Sequence, residues 1–438
     1  MSKNKLSKYP VYKDSAVEWL GEIPEHWEVK KVTHVFNKIG SGTTPTAGTP
    51  KYYDNGNINW LQTGDLNDGN IIETSKKITF KAINDFSTLK QYPKESIVIA
   101  MYGATIGKLG YLNIETTTNQ ACCVLGNPNQ YLSKFGFYSF MNAKTNIISM
   151  SYGGGQPNIS QDLVKSLRLV VPPISEQTAI AHFLDDKTTK IDQAIAIKQK
   201  QIELLKERRQ ILIHKAVTRG LNDNVKLKDS GVEWIGEIPE HWEVKKVTHL
   251  FEKIGSGTTP TSGDNRYYDG DYNFLQTGDL NDGKINQTNR TLKEKAFRDF
   301  SSLKIYPKGS LVMAMYGATI GKLGILEIES ATNQACCVFG KPKNILIEYF
   351  FQVLLAFRME IISFGYGGGQ PNISQDLIKS LRFPIPSKKE QTEIAEFIET
   401  ATTKIATAIS LKEQEIEKLK EYKMSLIDGV VSGKVKVC

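Results

Sequence analysis

Two stretches of the chain carry apolar residues at alternating spacings of four and three, a pattern that predicts long coiled-coil helices. Each stretch follows a pair of prolines, at residues 172–173 and at Pro384 and Pro386. A helix of about 40 residues is about 60 Å long. The seam positions are Ile180, Leu184, Ile191, Ile195, Ile202, Leu205 and Leu212, then Ile394, Ile398, Ile405, Ile409, Ile416, Leu419 and Leu426. We expect the two helices to pair as an antiparallel coiled coil; the alternative is that each packs on its own domain.

A globular part with a mixed pattern precedes each long helix. Apolar runs bounded by glycine-rich turns predict strands at residues 96–102, 119–125 and 167–171. Longer apolar stretches predict helices at residues 133–149 and 347–363. The predicted fold class is therefore α+β, with helices packed on sheets.

The chain consists of two copies of one unit. VEWLGEIPEHWEVKK begins at Val17 and recurs at Val232 with Ile in place of Leu. Further along, QTGDLNDG, MYGATIGKLG, NQACCV and YGGGQPNISQDL each occur once in either half. Two copies of this length are too few and too long for a solenoid, so the pattern indicates a tandem duplication with pseudo-twofold symmetry.

The duplication predicts seven segments along the chain. They are an N-terminal extension (1–14), a globular domain (15–173), a long helix (174–218), a linker (219–229), a second globular domain (230–386), a second long helix (387–433) and a C-terminal tail (434–438). In the second helix, Ser387 and Glu390 have the spacing of a capping box.

Charge and composition limit the class of protein. The net charge of +8 favours a polyanionic partner without requiring one, and the 40% hydrophobic content excludes a disordered chain. Since no apolar run approaches the roughly 18 residues that span a bilayer, and residues 1–10 are polar, we expect a cytoplasmic protein without membrane contact. Four of the five cysteines form adjacent pairs at residues 122–123 and 336–337, which we expect to be reduced and buried.

Motifs of catalysis are weak or missing. GATIGKLG differs from a phosphate-binding loop in its glycine spacing, Gly103 to Gly107, and has Leu109 where Ser or Thr is needed. The E-x-K pattern at residues 28–30 is too short to indicate a nuclease, and the histidines have no metal-site spacing. We therefore predict no catalytic residue, no metal and no cofactor.

Repeated loops carry the residue types that contact DNA: amides and hydroxyls for base edges, Lys for guanine and phosphate, and Gly for close approach. The same residue types also form ordinary turns, which is the alternative for any single loop. The candidates in the first copy are Lys38, Ser41, Thr43, Thr44, Gln62, Thr63, Tyr102, Lys108, Gln156 and Asn158, and in the second Lys253, Ser256, Thr258, Thr259, Gln276, Thr277, Tyr316, Lys322, Gln370 and Asn372.

Positions that differ between the copies are candidates for reading different bases. Drift on an unused surface would explain the same differences. The candidates are Lys51, Asn57, Lys76 and Lys77 in the first copy and Arg266, Asp271, Lys284 and Arg290 in the second.

The organisation resembles the specificity subunit of Type I restriction-modification systems along nearly the whole chain. The resemblance rests on the W-x-G-E-I-P-x-H-W opening of each unit, the NQA segments, GGGQPNIS and the P-x-x-x-E-Q start of each helix, which ends in Glu176-Gln177 and Glu390-Gln391. It implies a non-catalytic subunit in which two target recognition domains each read half of a bipartite site, while the helices fix the spacer.

The resemblance also implies partners: double-stranded DNA, two modification (methyltransferase) subunits, and restriction subunits that translocate and cut. A system with methylation alone is equally compatible with the sequence. Because the two copies are so alike, we hypothesise related half-sites and a nearly palindromic target. The rival classes are an enzyme that acts alone and a coiled-coil adaptor that ignores DNA sequence.

Overall fold

The computed structural model describes residues 7–151, 158–366 and 372–437. They form two compact units, one of residues up to Lys198 together with residues from Gln414, and one of residues 199–413. Each long helix contributes one part of its length to each unit.

The first unit is built on a five-stranded sheet of order β4-β11-β8-β9-β6 and a three-stranded sheet of order β10-β5-β7, with the pairs β1-β2 and β3-β12 beside them. The strands are β1 (Tyr12–Asp14), β2 (Glu22–Pro24), β3 (Glu28–Lys31), β4 (Phe36–Gly40), β5 (Ile58–Leu61), β6 (Gly69–Ile71), β7 (Lys77–Ile78), β8 (Ile97–Ala100), β9 (Leu109–Leu112), β10 (Thr117–Thr118), β11 (Cys122–Pro128) and β12 (Arg168–Val171). The helices are α1 (Val32–Val35), α2 (Pro50–Tyr53), α3 (Phe80–Asp85), α4 (Ser133–Ser149), α5 (Gln161–Ser166) and the long α6 (Ile174–Arg219).

Strands β8 and β11 are apolar on both faces because the five-stranded sheet is covered on both sides. Cys123 belongs to the core that includes α4, whereas Cys122 belongs to a separate core on the opposite face. This alternation explains the adjacent cysteines, whose thiols are buried and reduced. The strands predicted at residues 96–102, 119–125 and 167–171 are present as β8, β11 and β12, and α4 has the predicted bounds.

The second unit repeats this topology, with sheets of order β16-β23-β20-β21-β18 and β19-β17-β22 and the pairs β13-β14 and β15-β24. Its strands are β13 (Leu227–Asp229), β14 (Glu237–Pro239), β15 (Glu243–Lys246), β16 (Phe251–Gly255), β17 (Tyr268–Leu275), β18 (Gly283–Ile285), β19 (Arg290–Leu292), β20 (Leu311–Ala314), β21 (Leu323–Leu326), β22 (Ala331–Thr332), β23 (Cys336–Pro342) and β24 (Arg382–Ile385). Its helices are α7 (Val247–Leu250), α8 (Glu294–Asp299), α9 (Ile347–Ala356), α10 (Arg358–Ser363), α11 (Gln375–Ser380) and the long α12 (Lys388–Val431).

The single helix predicted at residues 347–363 is two helices, α9 and α10. Between them Phe357 departs from helical geometry, with φ −102° and ψ 19°. Its ring is fully buried, at 4.8 Å from Trp234 and 6.1 Å from Phe383 by ring centroids. Packing of this one ring outweighs the helical pattern of the sequence.

The long helices pair in antiparallel orientation, as predicted. In the first unit Lys198 of α6 pairs with Glu415 of α12, and Lys423 Nζ lies 2.7 Å from Asp192, so the numbering of one helix falls as the other rises. All fourteen predicted seam residues are buried or half-buried. The predicted capping box is also present: the Glu390 amide donates to Ser387 Oγ, and the Ser387 amide donates to the Glu390 carboxylate.

Two domain boundaries differ from those predicted. Strand β1 pairs with β2, and β13 pairs with β14, so each unit begins before residues 15 and 230. In the predicted tail, Lys436 donates its backbone amide to Ser7 in the first unit. The predicted boundaries were placed where the matching sequence of the two copies begins. Strands that lie outside the matching sequence can be identified only from their partners in the fold. Among the described residues, no helix has the length and apolarity needed to cross a bilayer.

Candidate nucleic-acid interface

The predicted loops meet at one end of the five-stranded sheet in each unit. In the first unit this end holds the loop after β4, the turn between β8 and β9, and the residues preceding β11 and β6. Backbone hydrogen bonds join them: the Met101 amide donates to Ala121 at 2.8 Å, and the Asn119 amide donates to Leu61 at 3.1 Å. We call this edge the loop end.

Close packing holds the loop after β4 in place. A Cβ atom at Gly42 would lie 1.8 Å from the carbonyl oxygen of Thr118, so only glycine fits. Beyond it, the hydroxyl of Thr44 donates to Gln120 Oε1 at 2.7 Å, and Trp60 Nε1 donates to the Thr43 carbonyl at 3.2 Å. The second unit repeats this packing, with Gly257 against Thr332, at 1.7 Å to its carbonyl oxygen, and Thr259 donating to Gln334 at 2.6 Å.

The segment after β5 is a short 3-10 turn, Thr63–Asp65. The carboxylate of Asp65 accepts the backbone amides of Gln62 at 2.8 Å and Ser75 at 3.0 Å. In the second unit Asp279 accepts the amide of Gln276 in the same way, at 2.7 Å. The aspartate therefore orders the turn and leaves Gln62 and Thr63 half-buried at the loop end.

The turn between β8 and β9 brings Tyr102 and Lys108 to the same end, both half-buried. Tyr102 forms a backbone bridge with Asn158, as Tyr316 does with Asn372. Burial raises the pKa of Tyr102, and the nearby Cys122 adds to the effect, so the phenol stays protonated and can donate a hydrogen bond. The predicted residues Gln156 and Gln370 lie outside the described residues.

Lys38 lies on β4, shortly before the loop. Its ammonium donates to the Gln91 carbonyl at 2.6 Å and lies 4.9 Å from the centre of the Tyr92 ring, whose hydroxyl donates to the Ser41 carbonyl. In the second unit Lys253 lies 4.5 Å from the Tyr306 ring. Burial lowers the pKa of Lys253, and the charges of Lys304 and Lys341 add to this effect.

A cleft of about 470 Å³ opens at the loop end of the first unit. Its lining includes Thr44, Tyr53, Trp60, Gln62 and Lys76. Of the candidates that differ between the copies, Lys76 is thus brought to the predicted DNA-contacting residues. Lys51, Asn57 and Lys77 are exposed around the same three-stranded sheet and α2.

The differing candidates of the second unit fall in two places. Arg290 lies over the Tyr268 ring, 5.3 Å from its centre, and Arg266 binds Asp264 at 2.6 Å. Asp271 is exposed on β17. Lys284 lies apart from them: its ammonium is 3.5 Å from Glu327, which follows β21 at the opposite end of the five-stranded sheet.

Sequence reasoning missed several residues of this end. Gln120 and Gln334 accept hydrogen bonds from the loop threonines, and Tyr53 and Trp60 line the cleft. The signal for the glutamines is the NQA segment, which is repeated without change, and the signal for Trp60 is its replacement by Phe274 in the second copy. Among the described residues, no group of three or more His, Cys, Asp or Glu side chains is arranged to hold a metal ion.

Comparisons with known proteins match the whole duplicated architecture. A family model described as Type I restriction modification DNA specificity domain matches twice, at residues 24–207 and 239–421. The MjaVIII specificity subunit of Methanocaldococcus jannaschii is 26% identical over 95% of this chain and 94% of its own length. The Escherichia coli EcoKI specificity subunit is 22% identical over 86% of this chain and 82% of its own.

Solved structures share the fold at low sequence identity. A chain from a structure of a type I R-M system has a TM-score of 0.73 at 12% identity, covering 93% of this chain and 98% of that one. The HsdS subunit from Thermoanaerobacter tengcongensis has a TM-score of 0.55 at 12% identity, covering 94% and 98%. Because the family model spans most of both copies, this chain belongs to the family of Type I restriction-modification DNA specificity subunits and carries the family's specificity domain twice.

Proposed function

We propose that this chain is the DNA-recognition subunit of a Type I restriction-modification complex and that each unit reads one half of a bipartite target. The observation that carries the proposal is the convergence of the same loops at the loop end of both units, in a chain of this family. An adaptor that ignores DNA sequence would not need this repeated arrangement.

The residue types at the loop end suit a duplex groove. Amides such as those of Gln62 and Gln120 can read an adenine edge, a lysine such as Lys108 can read guanine or bind phosphate, and hydroxyls such as that of Thr44 can contact either. The loop after β4 and the turn after β5 are each held by hydrogen bonds within the unit, so their side chains are positioned before DNA binds. Little ordering is then needed on binding.

We propose that methyl transfer is carried out by two modification subunits, which dock on the paired helices, and that DNA translocation and cleavage are carried out by restriction subunits. The paired helices would fix the spacer between half-sites. Because the loops of the two units are so similar, the half-sites are expected to be related and the target nearly palindromic.

The test is single-molecule sequencing of DNA from cells that express this chain with its modification subunit, scored for methyladenine. A bipartite motif of two short half-sites around a fixed gap is expected. Cells with the modification subunit alone serve as the control and should lack the motif. A stable complex of the two proteins that methylates no defined motif would contradict the proposal.

A further inference from the structure

The loop ends of the two units have nearly the same sequence, apart from one wall of the cleft. IGSGTTPT, QTGDLNDG, MYGATIGKLG and NQACCV each recur without a change. Among the differences is what we call the cleft wall, which comprises the cleft-lining residues 47–50, 60 and 76 and the adjoining residue 51 in the first unit, with residues 262–266, 274 and 290 as their counterparts in the second. The two loop ends therefore combine loops of identical sequence with a cleft wall whose sequence differs between the units.

The cleft wall differs in backbone as well as in side chains. In the first unit Pro50 begins α2. The hydrogen bond beside it is shared by both units, from Tyr53 to the Pro45 carbonyl at 2.6 Å and from Tyr268 to the Pro260 carbonyl at 2.8 Å. In the second unit residues 264–267 form turns, and β17 begins at Tyr268. The segment that borders the cleft of the first unit is thus a helical turn, whereas its counterpart in the second unit is a turn followed by a longer strand.

The charges of the two walls are also arranged differently. In the second unit the guanidinium of Arg266 donates to both carboxylate oxygens of Asp264, so the charge of the arginine is balanced within the wall. In the first unit Thr49 stands where Asp264 does, so Lys51 has no carboxylate at that position. At the other side of the wall, Lys76 in the cleft is replaced by Arg290 over Tyr268. A planar guanidinium can donate two parallel hydrogen bonds to guanine, whereas an ammonium acts as a point charge.

We infer that the cleft wall determines how the two half-sites differ, while the identical loops read the bases that the half-sites share. The inference rests on the proposed function and deepens it. Lys76 in the first unit and Arg290 in the second are the specificity-determining residues of the wall. The two half-sites should accordingly agree at most positions and differ where the wall reaches the DNA.

Differences outside the wall provide a matched control. Asn70 and Asn113 correspond to Lys284 and Glu327 of the second unit, whose side chains form an ion pair 3.5 Å apart at the end of the sheet opposite the loop end. Importing both residues into the first unit transfers the ion pair as a whole. This change should not alter which bases are read.

The experiment exchanges the wall and sequences methyladenine in DNA from cells that also express the modification subunit. The wall variant carries Ala47→Ser, Thr49→Asp, Pro50→Asn, Lys51→Arg, Trp60→Phe and Lys76→Arg, and the control variant carries Asn70→Lys and Asn113→Glu. The wall variant should replace the first unit's half-site by that of the second, which gives two equal halves. The control variant should keep the original pair of half-sites.

A single substitution provides a second test if the wall variant does not fold. Lys76→Ala should relax the preference at one position of one half-site, on the order of tenfold in methylation ratio, and leave the other half-site unchanged. Lys94→Ala removes an exposed charge before β8 and should change neither. Identical half-sites in the unaltered protein would overturn the inference, as would an unchanged half-site in both Lys76→Ala and the wall variant. Absence of any motif with the unaltered chain would instead count against the proposed function.

Discussion

The indole Nε1 of Trp27 donates a hydrogen bond to Glu176 Oε2 at 3.1 Å and so joins the opening motif of the first unit to the start of α6. His26 Nε2 lies 2.6 Å from the other oxygen of the same carboxylate. The second unit repeats both contacts on Glu390. Two repeated motifs of the sequence, EIPEHW and P-x-x-x-E-Q, therefore hold the start of the long helix against its unit.

This contact predicts a pH dependence of stability. Burial opposes ionisation of Glu176, but hydrogen bonds from Tyr9, His26 and Trp27 together outweigh it and hold its pKa below the ordinary value of 4.5. The carboxylate therefore contributes stability above about pH 4.5, and this contribution is lost as the pH falls through the lower folded-state pKa. Glu176→Gln should lower the free energy of unfolding by about 1 kcal/mol at pH 7 and flatten its decline in acid.

Urea unfolding at pH 7 and at pH 4 measures the effect. Glu203→Gln on the same helix is the control, because Glu203 forms only an exposed pair with Lys200 and should change stability by no more than a few tenths of a kcal/mol. Equal losses for the two variants at pH 7 would show that Glu176 does not anchor the helix.

A second prediction concerns the glycine of the loop end. In Gly42→Ala the added carbon would overlap the Thr118 carbonyl, so the loop that carries Thr43 and Thr44 must move. We expect a destabilisation of about 1–3 kcal/mol and loss of methylation that depends on the first unit's half-site. Gly64→Ala is the control for stability, since a Cβ there meets open space. Thermal unfolding and methyladenine sequencing check both effects, and a Gly42→Ala variant that methylates normally would contradict the prediction.

A third prediction follows from the paired cysteines. Burial raises the pKa of all four thiols at residues 122–123 and 336–337, and for Cys123 and Cys337 it reaches about 12. Because the thiolate is the reactive form, none of the four should react with an aromatic disulfide reagent at pH 8 until the chain unfolds. A Cys438→Ser variant removes the fifth thiol from the assay. Rapid reaction of any thiol in the folded protein would be the contrary result.

The fold could be predicted from the sequence where one pattern decides the structure. The seam from Ile180 to Leu212 has one apolar face, and β8 and β11 are continuous apolar runs, so their structure follows from local spacing. The break at Phe357 could not be predicted, because it depends on the distant rings of Trp234 and Phe383. Strand β1 could not be predicted for a similar reason. Its three residues have little apolar pattern of their own, and it is the pairing with β2 that makes them a strand.

The candidate site divides in the same way. Repetition identified the loops that reach the loop end, because an unchanged loop in two diverged copies is visible without a structure. Repetition could not separate Lys76, which lines the cleft, from Lys284, which pairs with Glu327 elsewhere. Both are exposed cations in a differing stretch, and only the fold shows that Lys76 precedes β7 beside the cleft whereas Lys284 lies on β18.

The antiparallel pairing of α6 and α12 predicts how the target gap responds to helix length. Seven residues that continue the four-three spacing, inserted in both helices after Lys198 and after Glu413, keep the seam in register and add about 10 Å to each helix. At roughly 3.4 Å per base pair, the methylated motif should keep both half-sites and gain about three base pairs in its gap. Insertion into α6 alone is the control, since it leaves seven residues of α6 without partners in α12 and should weaken methylation of every motif. An unchanged gap after the double insertion would mean that the helices do not set the spacing.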